Sequence, residues 1–142
     1  MEHSLLDARK FTAGADFRIY GTGVDFAAIS LELGISPSHL HRKGEHDPGN
    51  RLYRYDMWSL ASPLGDDKDL GVHLNWLANR LLSRSAFILS LKEKFNVDIY
   101  CWKDCNTEQA SLVLSASVLR IFTELNLDLE VGLLCLPPEL HP

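Results

Sequence analysis

The sequence contains no long hydrophobic run and few cysteines. No stretch approaches the ~18 consecutive apolar residues that a membrane-spanning helix needs, so we expect no contact with a membrane. The three cysteines, Cys101, Cys105 and Cys135, form no CxxC pair and no spacing typical of a disulfide framework or a zinc site. The first residues include no basic region followed by an apolar run, so no secretory signal is expected. These absences predict a cytoplasmic protein with reduced thiols.

The usual catalytic motifs are also missing. Gly21-Thr22-Gly23 follows a predicted strand, but no third glycine and no Gly-Lys-Ser/Thr completes a phosphate loop. The sequence contains neither a nucleophile elbow nor a histidine-glutamate helix motif, and nothing in it places a histidine base beside a cysteine. These absences favour a protein that is not an enzyme, and they imply no cofactor.

The acidic net charge of the chain argues against some classes of binding partner. The formal net charge is -5, which disfavours broad contact with phosphate backbones, because that affinity comes from clustered lysine and arginine. We therefore do not expect nucleic acid as a partner. Hydrophobic residues make up 46% of the chain and charged residues 23%, a balance typical of a globular domain.

Hydrophobic periodicity and capping residues predict alternating strands and helices. Residues 1–14 carry no period and are predicted to form an N-terminal arm, and residues 15–142 a single domain. Ser83 and Ser85 mark either a bend in the long helix or a break into two, and residues 103–109 are predicted to be a polar loop. The predicted elements are a strand at 16–21, a helix at 26–33, hairpin strands at 39–45 and 52–60, a long helix at 70–95, a strand at 97–102, a helix at 116–125 and a strand at 127–136.

The resulting order is β-α-β-β-α-β-α-β. Its two ends share an outline, since each has a strand ending in tyrosine, a capped helix and another strand. This weak internal repeat fits two split βαβ units whose strands join one sheet. We therefore predict an α+β fold, a ferredoxin-like two-layer sandwich with one mostly antiparallel sheet and the helices on one face.

Six short segments in this order resemble one bacterial family, the domain of unknown function 4279. They are Phe17-Arg18-Ile19-Tyr20-Gly21, Leu33-Gly34-Ile35-Ser36-Pro37-Ser38, His41-Arg42-Lys43-Gly44-Glu45, Trp58-Ser59-Leu60, and Leu114-Ser115 together with Leu125-Asn126-Leu127-Asp128-Leu129. The resemblance covers roughly residues 15–136 and implies no established activity. It implies, as one specific role, an immunity or toxin-neutralising protein. Asn126 stands where such helices usually end in glycine, and asparagine tolerates the same left-handed conformation.

The predicted hairpin carries the first candidate site, formed by His41, Arg42, Lys43 and Glu45. Its basic residues could bind a carboxylate, a phosphate or an acidic partner surface. The alternative is simple pairing with the acidic side chains of the same hairpin. A metal site is a further alternative, because His39 and His41 would lie on the same face of a strand, with His46, Asp47 or Asp56 as a third ligand.

Aromatic side chains form the second candidate site. Alternation places Tyr20 on the face opposite Phe17 and Ile19, and it places Tyr100 with Trp102 opposite Ile99. If the helices cover one face of the sheet, these aromatic residues and Arg18 line the other. Trp58, or Tyr53 with Tyr55, would join them, depending on the strand register. Such a face could stack nucleic-acid bases, but the basic surround that this needs is missing.

Three functions follow from these patterns. The favoured one is a non-enzymatic intracellular binding domain that recognises a protein partner through the hairpin and the aromatic face. The second is a small enzyme or metal-binding protein centred on His39 and His41. The third is a structural subunit whose aromatic face is buried in a homodimer.

Overall fold

A computed structural model describes residues 11–136 of the chain, and these residues form five strands packed against helices. The order of strands and helices agrees with the order predicted from the sequence. The elements are β1 (Phe11–Gly21), α1 (Phe26–Leu33), β2 (His39–His41), β3 (Asp56–Ala61), α2 (Leu70–Leu81), a 3-10 turn (Leu82–Arg84), α3 (Ser85–Leu91), β4 (Asn96–Cys105), α4 (Ala116–Glu124) and β5 (Val131–Cys135).

The five strands form one mixed sheet in the order β2-β3-β1-β4-β5. Three neighbouring pairs are antiparallel, and β4 pairs with β5 in parallel. β5 is parallel to β4 because the connection between them is a crossover through α4. The α+β class is confirmed. The prediction of a ferredoxin-like sandwich is not confirmed, because the strand order in the sheet differs and the parallel β4–β5 pair makes the sheet mixed.

The core lies between the helices and one face of the sheet. Ala13, Ala15, Phe17 and Ile19 alternate along β1 and are buried, as the period of two predicts. Helix α2 packs on β1 and β4 and also against α4. The neighbouring strands contribute Trp58, Leu60, Ile99 and Cys101 to the same layer, and the helices contribute Ile29, Leu33, Leu70, Leu74, Leu77, Leu81, Ile88, Ile121 and Phe122.

The helix ends follow the local signals in the sequence. Asp25 caps α1 by accepting a hydrogen bond from the Ala28 N–H, at 3.0 Å. Gly34 ends the same helix in the left-handed region, with φ of 67°. Asn126 adopts φ of 52° after α4, so it takes the conformation that glycine would otherwise supply. The long predicted helix breaks at the 3-10 turn Leu82–Arg84, next to the serines that indicated a break.

Several predicted boundaries differ from the observed ones. β1 begins at Phe11 instead of residue 16, because residues 11–14 of the predicted arm pair with β4; residues 1–10 of that arm lie outside the described residues. β4 continues to Cys105, so Lys103 is in a strand instead of a loop. Lys103 tolerates its buried position because its Nζ donates to Asp69 Oδ1 at 2.9 Å and to Ser111 O at 3.0 Å.

The first hairpin strand is shorter than predicted. β2 ends at His41 instead of residue 45, and a turn follows in which Gly44 has φ of 91°. Among residues 11–136, no helix has both the length and the apolar character needed to cross a membrane.

Candidate functional site

The face of the sheet opposite the helices carries most of the polar and aromatic side chains that the sequence indicated. Cross-strand register places Arg18 opposite Asp98, and Gly14 opposite Trp102. Adjacent residues of a strand point to opposite faces, so the residues between the core positions all lie here. We call this surface the open sheet face. It comprises Gly14, Asp16, Arg18, Tyr20, His39, His41, Met57, Ser59, Asp98, Tyr100 and Trp102.

Arg18 occupies the centre of the open sheet face. Its Nε and Nη2 donate to Asp98 Oδ1 and Oδ2, both at 2.7 Å, which is the bidentate geometry of a strong ion pair. The guanidinium carbon lies 5.1 Å from the ring centre of Tyr100 and 5.7 Å from that of Tyr20. Both charged side chains keep about a third of their surface exposed, 30% and 35%. The arrangement therefore presents a fixed guanidinium between two aromatic rings.

Two further polar groups surround Arg18. The Tyr20 hydroxyl donates to Asp98 Oδ2 at 3.3 Å. Burial raises the pKa of Tyr20, and the neighbouring Asp98 carboxylate adds to the rise. Burial also raises the pKa of Asp16, while the Arg18 charge opposes that rise. Within the described part of the chain, no hydrogen bond reaches the Asp16 side chain, so its carboxylate is available to a donor from a partner.

Aromatic rings extend the open sheet face on both sides of Arg18. Trp102 lies over Gly14, where a Cβ atom would come within 2.6 Å of the indole ring. Tyr100 is 47% exposed, and the Tyr20 ring centre lies 5.8 Å from that of Tyr55. Aromatic and arginine side chains contribute most to binding at protein interfaces, because they cover a large area with few rotatable bonds.

Trp58 lies on the opposite face. Its side chain is fully buried in the core opposite Ile19, and its indole N–H donates to Ser30 Oγ at 3.0 Å. The prediction that Trp58 belongs to the binding surface is therefore not supported by its position. The alternative prediction, Tyr53 with Tyr55, agrees with the structure: the Tyr55 ring lies beside Tyr20, and the Tyr53 ring stacks on His41.

His39 and His41 lie at the β2 end of the open sheet face. His39 Nε2 is 2.9 Å from His41 Nδ1, so the two rings share a hydrogen bond. The His41 ring also stacks on Tyr53, with ring centres 3.5 Å apart and planes 5° apart. Burial lowers the pKa of His41, and the neighbouring His39 lowers it further. A neutral His41 imidazole therefore fits this position.

In the part of the chain that the structure describes, no third ligand lies beside these histidines. Among residues 11–136, no group of three His, Cys, Asp or Glu side chains is arranged to hold a metal ion. Asp56, one of the three candidates for the third ligand, points to the other face of β3. It accepts hydrogen bonds there from the backbone N–H groups of Gly23, Val24 and Lys43, at 2.9–3.1 Å.

The remaining hairpin candidates support the local structure. Arg42 Nη1 donates to Asp56 Oδ2 at 3.0 Å and to Val24 O at 2.7 Å, and its guanidinium lies 3.7 Å from the Phe26 ring centre. Glu45 accepts a hydrogen bond from the Arg42 backbone N–H. These bonds tie the hairpin to the start of α1. The backbone N–H of Lys43 donates to Asp56 Oδ1, and Lys43 is exposed to solvent.

The sequence reasoning missed Asp98, the partner of Arg18. Its position two residues before Tyr100 places it on the same face by alternation, and that signal was present in the sequence. Asp16 was also missed, although it lies two residues before Arg18 and therefore on the same face of β1.

A protein-family model described as "Domain of unknown function (DUF4279)" matches residues 9–136 of the chain. No curated protein and no solved structure matches the chain significantly.

Proposed function

The chain belongs to the DUF4279 family, whose description assigns no activity, and we propose that it is a binding domain that recognises a protein partner through the open sheet face. One observation carries the proposal. Partly exposed aromatic side chains surround the fixed Arg18–Asp98 pair on a face that no helix of the described residues covers. A rigid surface of this kind loses little conformational entropy on binding.

The chemistry of the face favours a protein over a nucleic acid. Arg18 is neutralised by Asp98, and Asp16 adds a negative charge beside it. The net charge of -5 would further oppose a phosphate backbone. A partner with hydrogen-bond donors and apolar groups fits better, and neutralisation of a toxin would be one specific form of this function. The three free thiols favour a reducing compartment such as the cytoplasm.

Affinity capture with matched variants tests the proposal. Trp102→Ala/Tyr20→Ala removes two aromatic rings from the open sheet face, and Arg120→Ala/Glu124→Ala changes an exposed pair on α4 as the control. A captured partner is purified, its dissociation constant is measured with each variant, and amide hydrogen exchange is recorded in the complex. We expect the open-face variant to bind at least about tenfold more weakly, because central aromatic side chains contribute strongly at interfaces.

The exchange data decide where the partner binds. Protection of β1 and β4 amides, with unchanged binding by the control variant, supports the open sheet face. Equal affinity of the two variants, or protection confined to the helices, contradicts the proposal. Circular dichroism of each variant separates lost contacts from lost folding.

A homodimer is the second candidate, and the edge strand β5 favours it. Val131–Cys135 contains no charged residue, and Leu133 and Leu134 are 59% and 47% exposed. Edge strands with exposed apolar side chains and no charge tend to pair with another copy. Light scattering over a range of protein concentrations tests this, with Leu133→Lys as the variant that should remain monomeric. A mass that stays at 16.0 kDa at every concentration would contradict a dimer.

A further inference from the structure

One edge of β4 is only half covered by its neighbour. β5 pairs with Cys101–Cys105, and its register begins at Val131. The first half of β4, from Asn96 to Tyr100, pairs with β1 on its other side. The half-strand from Asn96 to Tyr100 therefore has a partner strand on one side and an open edge on the other.

The backbone groups at this open edge can be assigned from the observed hydrogen bonds. The Leu136 N–H donates to Cys105 O at 2.8 Å, so Cys105 directs its backbone groups toward β5. The β1–β4 register runs without a bulge, and alternate residues of a strand direct these groups to the same side. Val97 and Ile99 consequently direct their N–H and C=O groups to the open edge. Among the described residues, the hydrogen bond that reaches these groups comes from the Cys101 thiol, 3.8 Å from Ile99 O, and a thiol is a weak donor.

A groove of about 450 Å³ lies in front of this edge. The segment that leads into β5 forms its other wall and contributes Leu127, Asp128 and Glu130. Arg18 and Asp98 also line the groove, and their ion pair leaves no net charge there. Within residues 11–136, no hydrogen bond or ion pair reaches the carboxylates of Asp128 and Glu130, which are both exposed. The groove is therefore acidic along one wall and offers unpaired backbone groups along the other.

We propose that this groove binds an extended basic segment of the partner protein, which adds to the sheet as a strand beside the first half of β4. Main-chain hydrogen bonds to Val97 and Ile99 would provide the affinity, and Asp128 and Glu130 would select lysine or arginine side chains. A second copy of the chain fits less well, because pairing two such edges would bring the same carboxylates together. The inference rests on the proposed function and names the chemistry of the partner segment.

The test uses a capped synthetic heptapeptide of alternating lysine and valine as the probe. Its control is the same peptide with a methylated backbone, which keeps the charge and removes the N–H donors. We expect the methylated peptide to bind at least about tenfold more weakly, the effect of losing one hydrogen bond of about 1.4 kcal/mol. Hydrogen exchange at the Val97 and Ile99 amides should slow when the unmethylated peptide is bound.

Protein variants separate the charge effect from the strand effect. Asp128→Asn/Glu130→Gln should weaken binding, while Glu32→Gln/Asp66→Asn, with the same change in net charge at distant exposed positions, should not. Equal binding of both peptides overturns the proposal, as does protection of β5 amides instead of Val97 and Ile99. Protection of these two amides by self-association would assign the edge to a second copy and would overturn it too.

The same measurements keep this inference distinct from the open sheet face. Trp102→Ala alone changes a residue that does not line the groove, so it should leave peptide binding unchanged. Failure of the peptide test together with partner binding that depends on Trp102 would reject the groove and leave the open sheet face supported.

Discussion

The indole of Trp102 lies directly over Gly14, the residue opposite it on β1. A Cβ atom at Gly14 would lie 2.6 Å from Trp102 Cζ2 and 2.9 Å from Nε1, closer than atoms of this kind approach each other. Glycine at this position lets the indole lie flat against the strand. The shape of the open sheet face therefore depends on a residue that contributes no side chain to it.

Gly14→Ala should move the Trp102 ring and destabilise the fold. Overpacking of this kind typically costs about 1–3 kcal/mol in the free energy of unfolding. The NMR signal of the Trp102 indole N–H should shift, while that of Trp58 in the core stays in place. Gly132→Ala is the matched control, because a Cβ atom there meets only Cys101 O, at 3.8 Å. Equal stability of the two variants would contradict the close packing.

The Arg18–Asp98 pair should show a measurable coupling energy. A double-mutant cycle with Arg18→Ala and Asp98→Ala isolates the interaction from the other effects of each change. We expect about 1 kcal/mol, the upper end for exposed pairs, because the geometry is bidentate and a third of each side chain is exposed. The exposed helical pair Arg120–Glu124 should give about 0.3–0.5 kcal/mol in the same measurement. A smaller coupling for Arg18–Asp98 than for this control would mean that the guanidinium is not fixed.

Asp56 should make stability depend on acidity. The backbone N–H of Lys43, and then those of Val24 and Gly23 together with the Arg42 side chain, lowers the pKa of Asp56 against the opposing effect of burial. Its contribution is present above the ordinary carboxyl pKa of about 3.9 and is lost as the pH falls through the lower folded pKa. Asp56→Asn should cost about 2–4 kcal/mol at neutral pH, because several charge-assisted hydrogen bonds weaken.

Denaturant unfolding at several pH values checks this prediction. The decline in stability below pH 4 should be shallower in Asp56→Asn than in the parent protein. Asp66→Asn, at an exposed position, should keep the parent's decline. The same acid profile in Asp56→Asn and the parent would show that Asp56 does not contribute to it.

The His39–His41 pair should add a second pH dependence at higher pH. Burial, and then His39, lowers the pKa of His41, so the folded state binds its proton less readily than the unfolded chain does. The stability from neutral His41 is present above the ordinary pKa of about 6.5 and declines as the pH falls toward the lower folded pKa. His41→Phe keeps a ring to stack on Tyr53 and removes the titration. Its free energy of unfolding should change less between pH 7.5 and pH 5.

A control at an exposed histidine completes this measurement. His46→Gln should retain the decline of the parent protein over the same pH range, since His46 is exposed. A full decline in His41→Phe would assign the pH dependence to another group.

Local signals in the sequence predicted the helix ends and the strand faces. Asp25, Gly34 and Ser115 each act through hydrogen bonds or backbone angles within four residues, so no distant part of the chain is needed. The alternation of Phe17 and Ile19 with Arg18 fixed which β1 side chains share a face. The same alternation placed Tyr100 and Trp102 together on β4.

The contacts between residues of neighbouring strands could not be predicted from these local signals. The register that sets Arg18 against Asp98 joins residues 80 positions apart, and it depends on how the whole sheet packs on the helices. The same packing places Trp58 in the core opposite Ile19 and makes Arg42 a support for Asp56.

The sequence by itself therefore determined the α+β class, the order of elements and the faces of the strands, because hydrophobic period and helix caps act over a few residues. The tertiary structure decided the mixed sheet, the partner of Arg18 and the half-open edge of β4. Pairing between distant strands sets these features, and a strand carries the same alternation whichever neighbour it meets.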